Sequence, residues 1–263
     1  MIILALKLVL APLLVVASSM AGRRWGPRLA GILVVLPIIA GPILLVVHLE
    51  HGARFAARAA SAATLGVVPL ALFAVTIAYA SRRVGWVVTL SSGWAVVLLA
   101  DLGLSRVHLP AGVALVVSLL ALHGAGLLLR RLSAPHSPPT RLPWWDLPAR
   151  AVATGLLVVL LTGAAAALGP SLTGVLTPFP IALSVVCSFA LAQGGHPAAL
   201  ALLRGIVPGL DGFALFCFLV AVTIEPLGPA AGLGLATAAA LLVALIVART
   251  GRTSPIINSL DQW

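Results

Sequence analysis

Long apolar runs separated by short polar turns fill this chain. Each run has roughly 18 to 24 residues, the length that crosses a bilayer as a single helix. Polar residues gather in the turns, and the longest polar stretch, 130–150, is rich in proline. The pattern predicts an all-α polytopic membrane protein with about nine transmembrane helices, near 2–20, 29–49, 57–80, 84–103, 109–130, 149–168, 172–193, 199–223 and 228–248.

The beginning of the chain recurs 143 positions later, and the recurrence is carried by glycine and proline. Gly26, Pro27, Gly31, Pro37 and Gly52 match, without a gap, Gly169, Pro170, Gly174, Pro180 and Gly195. Because these residues fix particular backbone geometries, their common spacing indicates a common shape. One unpaired span separates the copies, so the second copy enters the membrane from the opposite face. This arrangement predicts two inverted four-helix repeats. The units are 1–103, the first repeat; 104–148, a linker helix and cytoplasmic Pro-rich loop; and 149–263, the second repeat.

Composition narrows the class of protein further. Hydrophobic residues make up 61% of the chain and charged residues 8%, which excludes an ordinary soluble domain. The chain has a net charge of +10, but its basic residues do not form a separate basic domain. We therefore expect no nucleic-acid partner. The two cysteines, Cys187 and Cys217, lie in apolar runs and indicate neither a disulfide nor a metal site, and we expect no cofactor. The usual hydrolase and phosphate-loop motifs are absent, so we expect no enzyme.

The distribution of basic residues between alternate turns predicts the orientation. Short loops on the cytoplasmic side carry the excess of Lys and Arg. An outside N-terminus and a cytoplasmic C-terminus in a bacterial-type inner membrane therefore follow. The other side would hold Lys7, Arg54, Arg58 and Arg106, and the cytoplasmic side Arg23, Arg24, Arg28, Arg82, Arg83, Arg130, Arg131, Arg141, Arg150, Arg249 and Arg252.

Two pairs of basic residues occupy matching positions in the repeats. Lys7 corresponds to Arg150, and Arg58 corresponds to Arg204 once a short insertion is allowed for. A charge within a bilayer costs roughly 2.5 to 3.5 kcal/mol at a helix centre, so these residues are predicted to bind an anionic substrate. Alternatively, all four reach the membrane interface and anchor their helices.

Proline and glycine also predict helix breaks beside these charges. Pro208, Gly209 and Gly212 should break or kink the span at 204–213, and the acid within it, Asp211, is predicted to couple protons. Matching breaks in two repeats mark a transport site, whereas a simple packing kink with Asp211 near the surface is the alternative. The remaining predicted breaks are Pro37, Gly66, Pro69 and Pro180.

The first hundred residues resemble the GlpM-type small inner-membrane proteins. The resemblance rests on the Leu6-Lys7 start, Ala30-Gly31, Pro37, His48, Gly52 followed by Arg58, and Pro69. It implies two four-span proteins fused through one added helix, with a loose tie to the cell envelope and its polysaccharide production. The second repeat departs from the pattern because it lacks the histidine and carries Asp211.

Together these features predict a transporter or lipid flippase for an anionic substrate, working by alternating access and coupled to protons. Its partners would be membrane lipids and an anionic small molecule or lipid head group. The alternative is a non-transporting subunit that scaffolds or regulates an envelope biosynthesis complex. For that role, the small-residue face of the last span would mediate packing, in a homo-oligomer or with a complex partner.

Overall fold

The computed structural model describes residues 2–34, 36–107, 109–133, 143–168 and 179–250. Within these ranges the secondary structure is helical, without strands, so the predicted all-α class is confirmed. We number the described helices in chain order as α1 (Ile2–Trp25), α2 (Pro27–Val34), α3 (Ala40–His51), α4 (Ala53–Leu65), α5 (Val67–Ala80), α6 (Trp86–Leu104), α7 (Ala111–Arg130), α8 (Asp146–Leu168) and α9 (Ile181–Thr250).

Six stretches of the described chain are long and apolar enough to cross a membrane, which is compatible with a multi-pass membrane protein. The helices α4 and α5 count as one of them, because only Gly66 separates them. The six stretches are Leu8–Trp25, Ala53–Ala80, Trp86–Leu104, Ala111–Arg130, Asp146–Gly163 and Ile181–Arg249.

The long helix α9 is interrupted at two glycines. Gly195 and Gly228 have φ angles of 64° and 78°, a left-handed conformation that glycine adopts without steric cost. Beyond Gly228 the chain folds back on itself, because Gly212 faces Ala240 and Gly232 faces Ile224 across the turn. The last part of α9 is therefore an antiparallel helical hairpin.

Of the break or kink predicted at 204–213, the break does not form, because the backbone stays helical there. Pro208, Gly209 and Gly212 lie in helical backbone, and the interruptions of α9 lie at Gly195 and Gly228. The proline removes one helical hydrogen bond, but the neighbouring Ile206 is fully buried and held by packing. Gly212 instead permits close contact within the hairpin, because a Cβ there would stand 3.2 Å from the backbone oxygen of Ala240.

The other predicted breaks lie at or near the ends of helices. Pro37 is in the turn between α2 and α3, and Pro180 directly precedes α9. Gly66 joins α4 to α5 with helix-like angles (φ −60°, ψ −9°), and Pro69 is buried within the first turn of α5.

Two hydrophobic clusters each join the two predicted repeats. The larger cluster takes residues from α1, α2, α5, α6, α7 and α9, with Phe73, Ile77 and Leu203 fully buried. A second cluster packs Ala56 and Ala60 of α4 against Phe216 of α9. The units 1–103 and 149–263 therefore do not form separate hydrophobic cores in the described part of the chain.

Arginines gather at one end of the helix bundle. The ion pair between Arg23 and Asp146 joins α1 to α8 there, and a bond between Ser81 and His196 joins the α5–α6 turn to α9. A further bond from α9 reaches the backbone just after α7. We call this the arginine-rich end, defined by Arg23, Arg82, Arg83, Arg130, Arg131 and Arg150.

Replacing Gly93 by alanine tests the packing of α5 against α6. A Cβ at Gly93 would stand 2.9 Å from both Phe73 and Ile77, which are fully buried and have no room to move. We expect Gly93→Ala to lower the free energy of unfolding by about 1 to 3 kcal/mol. Unfolding of the detergent-solubilised protein by SDS measures this change.

Gly103→Ala is the matched control on the same helix. A Cβ there meets nothing within 4 Å. Gly103→Ala should leave the free energy of unfolding unchanged, or raise it by up to about 1 kcal/mol because alanine has the higher helix propensity. Equal stability of the two variants would contradict the described contact between α5 and α6.

Candidate functional site

A buried ion pair lies at the start of α8. Asp146, the first residue of the helix, is fully buried, and Arg150, one turn later, is only 6% exposed. The spacing of four residues places both side chains on one face of the helix. Arg150 Nε donates to both Asp146 Oδ1 and Oδ2 at 3.0 Å.

Two other helices complete this cluster. Arg23, in the last turn of α1, donates from Nη2 to Asp146 Oδ2 at 2.8 Å, and its side chain is 31% exposed. Gln193 of α9 donates from Nε2 to Asp146 Oδ1 at 2.6 Å and accepts a bond from Arg150 Nη2 at 3.3 Å. One carboxylate thus serves two guanidinium groups, which leaves one positive charge in excess.

An aromatic ring also holds the inner arginine in place. The Arg150 guanidinium carbon lies 4.8 Å from the centre of the Phe189 ring. A cation over a ring face is attracted by the ring's electrons, more strongly where water is excluded. Asp146, Gln193 and Phe189 together therefore fix the direction of the Arg150 side chain.

A cavity of about 170 Å³ opens beside the cluster. It exceeds the volume of one liquid water, roughly 30 Å³, several times, so it has room for a group of several heavy atoms. Its lining comes from four helices (α1, α2, α8 and α9) and is mainly apolar, with five polar or charged residues: Ser19, Arg23, Asp146, Arg150 and Gln193.

Ser19 gives this cavity an unused polar group. Its side chain is 8% exposed, and its Oγ has no hydrogen-bond partner among the described residues. Buried polar atoms are almost always paired with protein, water or ligand. Because Ser19 lines the cavity, a polar occupant of the cavity would satisfy it.

The chemistry of these groups suits an oxyanion. Guanidinium groups donate in a planar fork that matches carboxylate and phosphate oxygens, and a hydroxyl and an amide add further donors. A buried arginine without a counter-charge is costly, so Asp146 is required while the cavity holds no anion. The cluster therefore combines anion-binding donors with an internal counter-ion.

Of the three predicted binding residues whose side chains the structure describes, Arg150 lines this cavity and Arg58 and Arg204 do not. Arg58 is exposed on α4. Arg204 of α9 is exposed and donates to the backbone oxygens of Leu129 and Leu132, at 3.2 and 2.7 Å. A cation there stabilises the last carbonyls of α7. Lys7 lies on α1, and its side chain is outside the described residues.

Asp211 is half-buried within the continuous part of α9 and is not among the residues that line the cavity. Its Oδ1 is buried and has no hydrogen-bond partner among the described residues. Its assignment to proton coupling stays a prediction.

Sequence reasoning missed Arg23, Asp146, Gln193 and Ser19. The chain has only six acidic residues, and one of them opens an apolar helix four residues before an arginine. That spacing was a usable local signal for the Asp146–Arg150 pair. The contact with Arg23 joins residues 123 positions apart and has no local signature.

Comparison with family models, with curated proteins and with solved structures found no match. The resemblance to GlpM-type proteins therefore stays a prediction, and the function is argued from the chain's own residues.

Removing Asp146 tests whether the cluster is a coupled buried network. Asp146→Ala leaves Arg150 buried without a counter-charge, so we expect a loss of about 3 to 5 kcal/mol in the free energy of unfolding. Arg23→Gln should cost about 1 kcal/mol or less, because that side chain is partly solvated. Denaturation of both variants and of Asp146→Ala combined with Arg150→Met measures the coupling. A double variant no more stable than Asp146→Ala alone would contradict the network.

Proposed function

We propose that this protein is a multi-pass membrane transporter or lipid flippase for an anionic substrate, working by alternating access. The observation that carries the proposal is one buried carboxylate shared by two arginines, with one excess positive charge, beside a cavity that both arginines line. Ionisable residues within membrane-spanning segments commonly mark substrate pathways. Here they lie where α1 packs against α8.

The proposed architecture is nine crossings in two inverted repeats around α7. In the first helices of the two repeats, the end of α1 contacts the start of α8. A two-fold axis that lies in the membrane plane requires this arrangement. The matched glycines Gly52 and Gly195 both have positive φ, at 86° and 64°. The sequence Ala-Val-Thr-Ile at 74–77 recurs at 221–224, after an insertion of about four residues, and its threonines, Thr76 and Thr223, each donate to the carbonyl four residues earlier. These likenesses support the repeat from geometry as well as from sequence.

The cluster suggests how an anion is received. Arg23 is partly exposed at the arginine-rich end and is the first cation that an entering anion meets. Arg150 lies deeper, fixed by Phe189 and Gln193. Ser19 supplies an unused hydroxyl within the same cavity. An oxyanion held by both arginines would replace the contacts that Asp146 now provides.

The recognised chemistry is an oxyanion, which a free phosphate and a lipid head group share. A transport assay separates the two sources. Uptake of labelled phosphate and sulfate is measured in proteoliposomes. Flipping is measured with fluorescent phosphatidylglycerol, and fluorescent phosphatidylcholine is the uncharged comparison. Flipping of the anionic lipid alone supports a flippase, and uptake of the free anion supports a transporter.

Transport by arginine variants tests the site. We expect Arg150→Gln to reduce transport of the active anion by roughly 10- to 150-fold, since a hydrogen bond to a charged group typically contributes about 1.5 to 3 kcal/mol. Arg23→Gln should reduce it by about tenfold. Arg24→Gln is the matched control, because that guanidinium lies exposed 5.4 Å from the ring of Trp25.

Equal loss in all three variants would argue against a specific site. Absence of transport by the wild type, with stoichiometric co-purification of another protein, would overturn this function in favour of the envelope-complex subunit.

Labelling of single cysteines tests the proposed orientation, with the N-terminus outside and the arginine-rich end in the cytoplasm. Gly85 and Ser105 are exposed and flank the two ends of α6. In intact cells, a membrane-impermeant maleimide should label Ser105→Cys and should label Gly85→Cys only after permeabilisation. The native Cys187 and Cys217 are fully buried, so background labelling should be low. The reverse pattern would invert the topology.

A further inference from the structure

The carboxylate of Asp146 occupies the donors that an anion would need. Its Oδ1 accepts from Arg150 and Gln193, and its Oδ2 accepts from Arg23 and Arg150. We propose that Asp146 is an exchangeable counter-ion, which releases its arginines to the substrate anion when it takes up a proton. This inference rests on the proposed function and makes Asp146 the proton-coupling residue of that site.

Protonation changes what Asp146 offers to its neighbours. An ionised carboxylate only accepts hydrogen bonds, whereas a protonated one carries an O–H donor. A proton on Oδ2 would remove the negative charge and take up an acceptor position that faces the N–H of Arg23, now 2.8 Å away, so that bond would weaken. The released guanidinium already lines the cavity beside the unpaired hydroxyl of Ser19.

The charges of the cluster give the same result. With Asp146 ionised, two arginines and one carboxylate sum to +1, and with Asp146 protonated they sum to +2. A singly charged anion that enters together with one proton leaves this sum at its resting value of +1, so joint entry adds no net charge to the buried site. Because coupling between two ligands is reciprocal, an anion that favours the protonated form must bind more tightly as the pH falls.

The groups that face Asp146 come from three helices. They are Arg23 on α1, Arg150 on its own helix α8, and the uncharged Gln193 on α9. The α2 residue that lines the cavity is Ala30, which does not titrate. Among the described residues, α9 also carries the titratable His196, three positions after Gln193, and its Nδ1 lies 2.9 Å from Ser81 Oγ. His196 does not contact Asp146, and it provides a control for the titration.

Asp211 lacks the contacts that this exchange needs. Its carboxyl makes no hydrogen bond to a guanidinium among the described residues, and it does not line the cavity. Protonation of Asp211 would therefore release no anion-binding donor. The exchange belongs to Asp146 on geometric grounds.

Anion binding as a function of pH tests the exchange. The full chain in zwitterionic nanodiscs is titrated with sulfate, and in a second arm with phosphatidylglycerol, between about pH 5 and pH 8. Both probes stay ionised over this range, so a pH dependence belongs to the protein. Wild-type affinity should rise as the pH falls, by up to about tenfold per pH unit for one coupled proton. Asp146→Asn should bind tightly with no dependence on pH.

Three further variants make the result specific. His196→Gln should keep the wild-type pH dependence, and Arg150→Gln should lose binding at every pH. Asp146→Glu keeps a titratable group, so its anion affinity should still depend on pH. This variant replaces Asp146→Asn if the asparagine variant does not fold. A pH dependence that persists in Asp146→Asn, or disappears in His196→Gln, would overturn the exchange.

The failures of the two proposals are distinguishable. If wild type binds an anion through Arg150 but independently of pH, the proposed function stands and the exchange is wrong. If neither sulfate nor phosphatidylglycerol binds to wild type or to Asp146→Asn at any pH, the anion site itself is wrong.

Discussion

The contact on which this site depends is the sharing of one buried carboxylate by two arginines. Asp146 is fully buried, and the arginine beside it is nearly so. Neither charge would be tolerated alone in such surroundings, because removing a charge from water costs several kcal/mol. The pairing therefore explains why α1, α8 and α9 meet at the arginine-rich end, and why charges are found in a chain so poor in them.

The same contact leaves the site with an excess of positive charge, and the proposed function is based on this excess. Two cations and one anion give a local excess of positive charge, and a cavity with an unused hydroxyl lies beside it. A purely structural ion pair needs neither the second arginine nor the cavity. The second arginine and the cavity are both accounted for if the internal carboxylate and an external anion compete for the same hydrogen-bond donors.

Much of the fold could be predicted from the sequence, because apolar length and turn residues are local signals. The interruptions of α9 at Gly195 and Gly228 fall at boundaries between predicted apolar runs, with Pro197 just after the first and Pro226 and Pro229 on either side of the second. The break predicted at Pro208 did not form, since proline is compatible with a helix held by packing on both sides. Gly212 serves a close contact within the hairpin.

The site was only partly predictable. The repeat singled out Arg150 through its match with Lys7, but the same logic favoured Arg58 and Arg204, which lie exposed on other helices. Arg23 was used only to assign sidedness, because its contact with Asp146 depends on how distant helices pack. Sequence position identifies where a charge enters a helix, whereas the direction of the side chain and its partner are fixed by tertiary structure.

The most direct measurement for the central claim is an experimental structure of the purified protein with selenate, whose selenium is located by anomalous scattering. The account predicts one selenate in the cavity between Arg23, Arg150 and Ser19, with Asp146 turned away from at least one guanidinium. An empty cavity at saturating selenate and low pH, with both arginines still bound to Asp146, would contradict it.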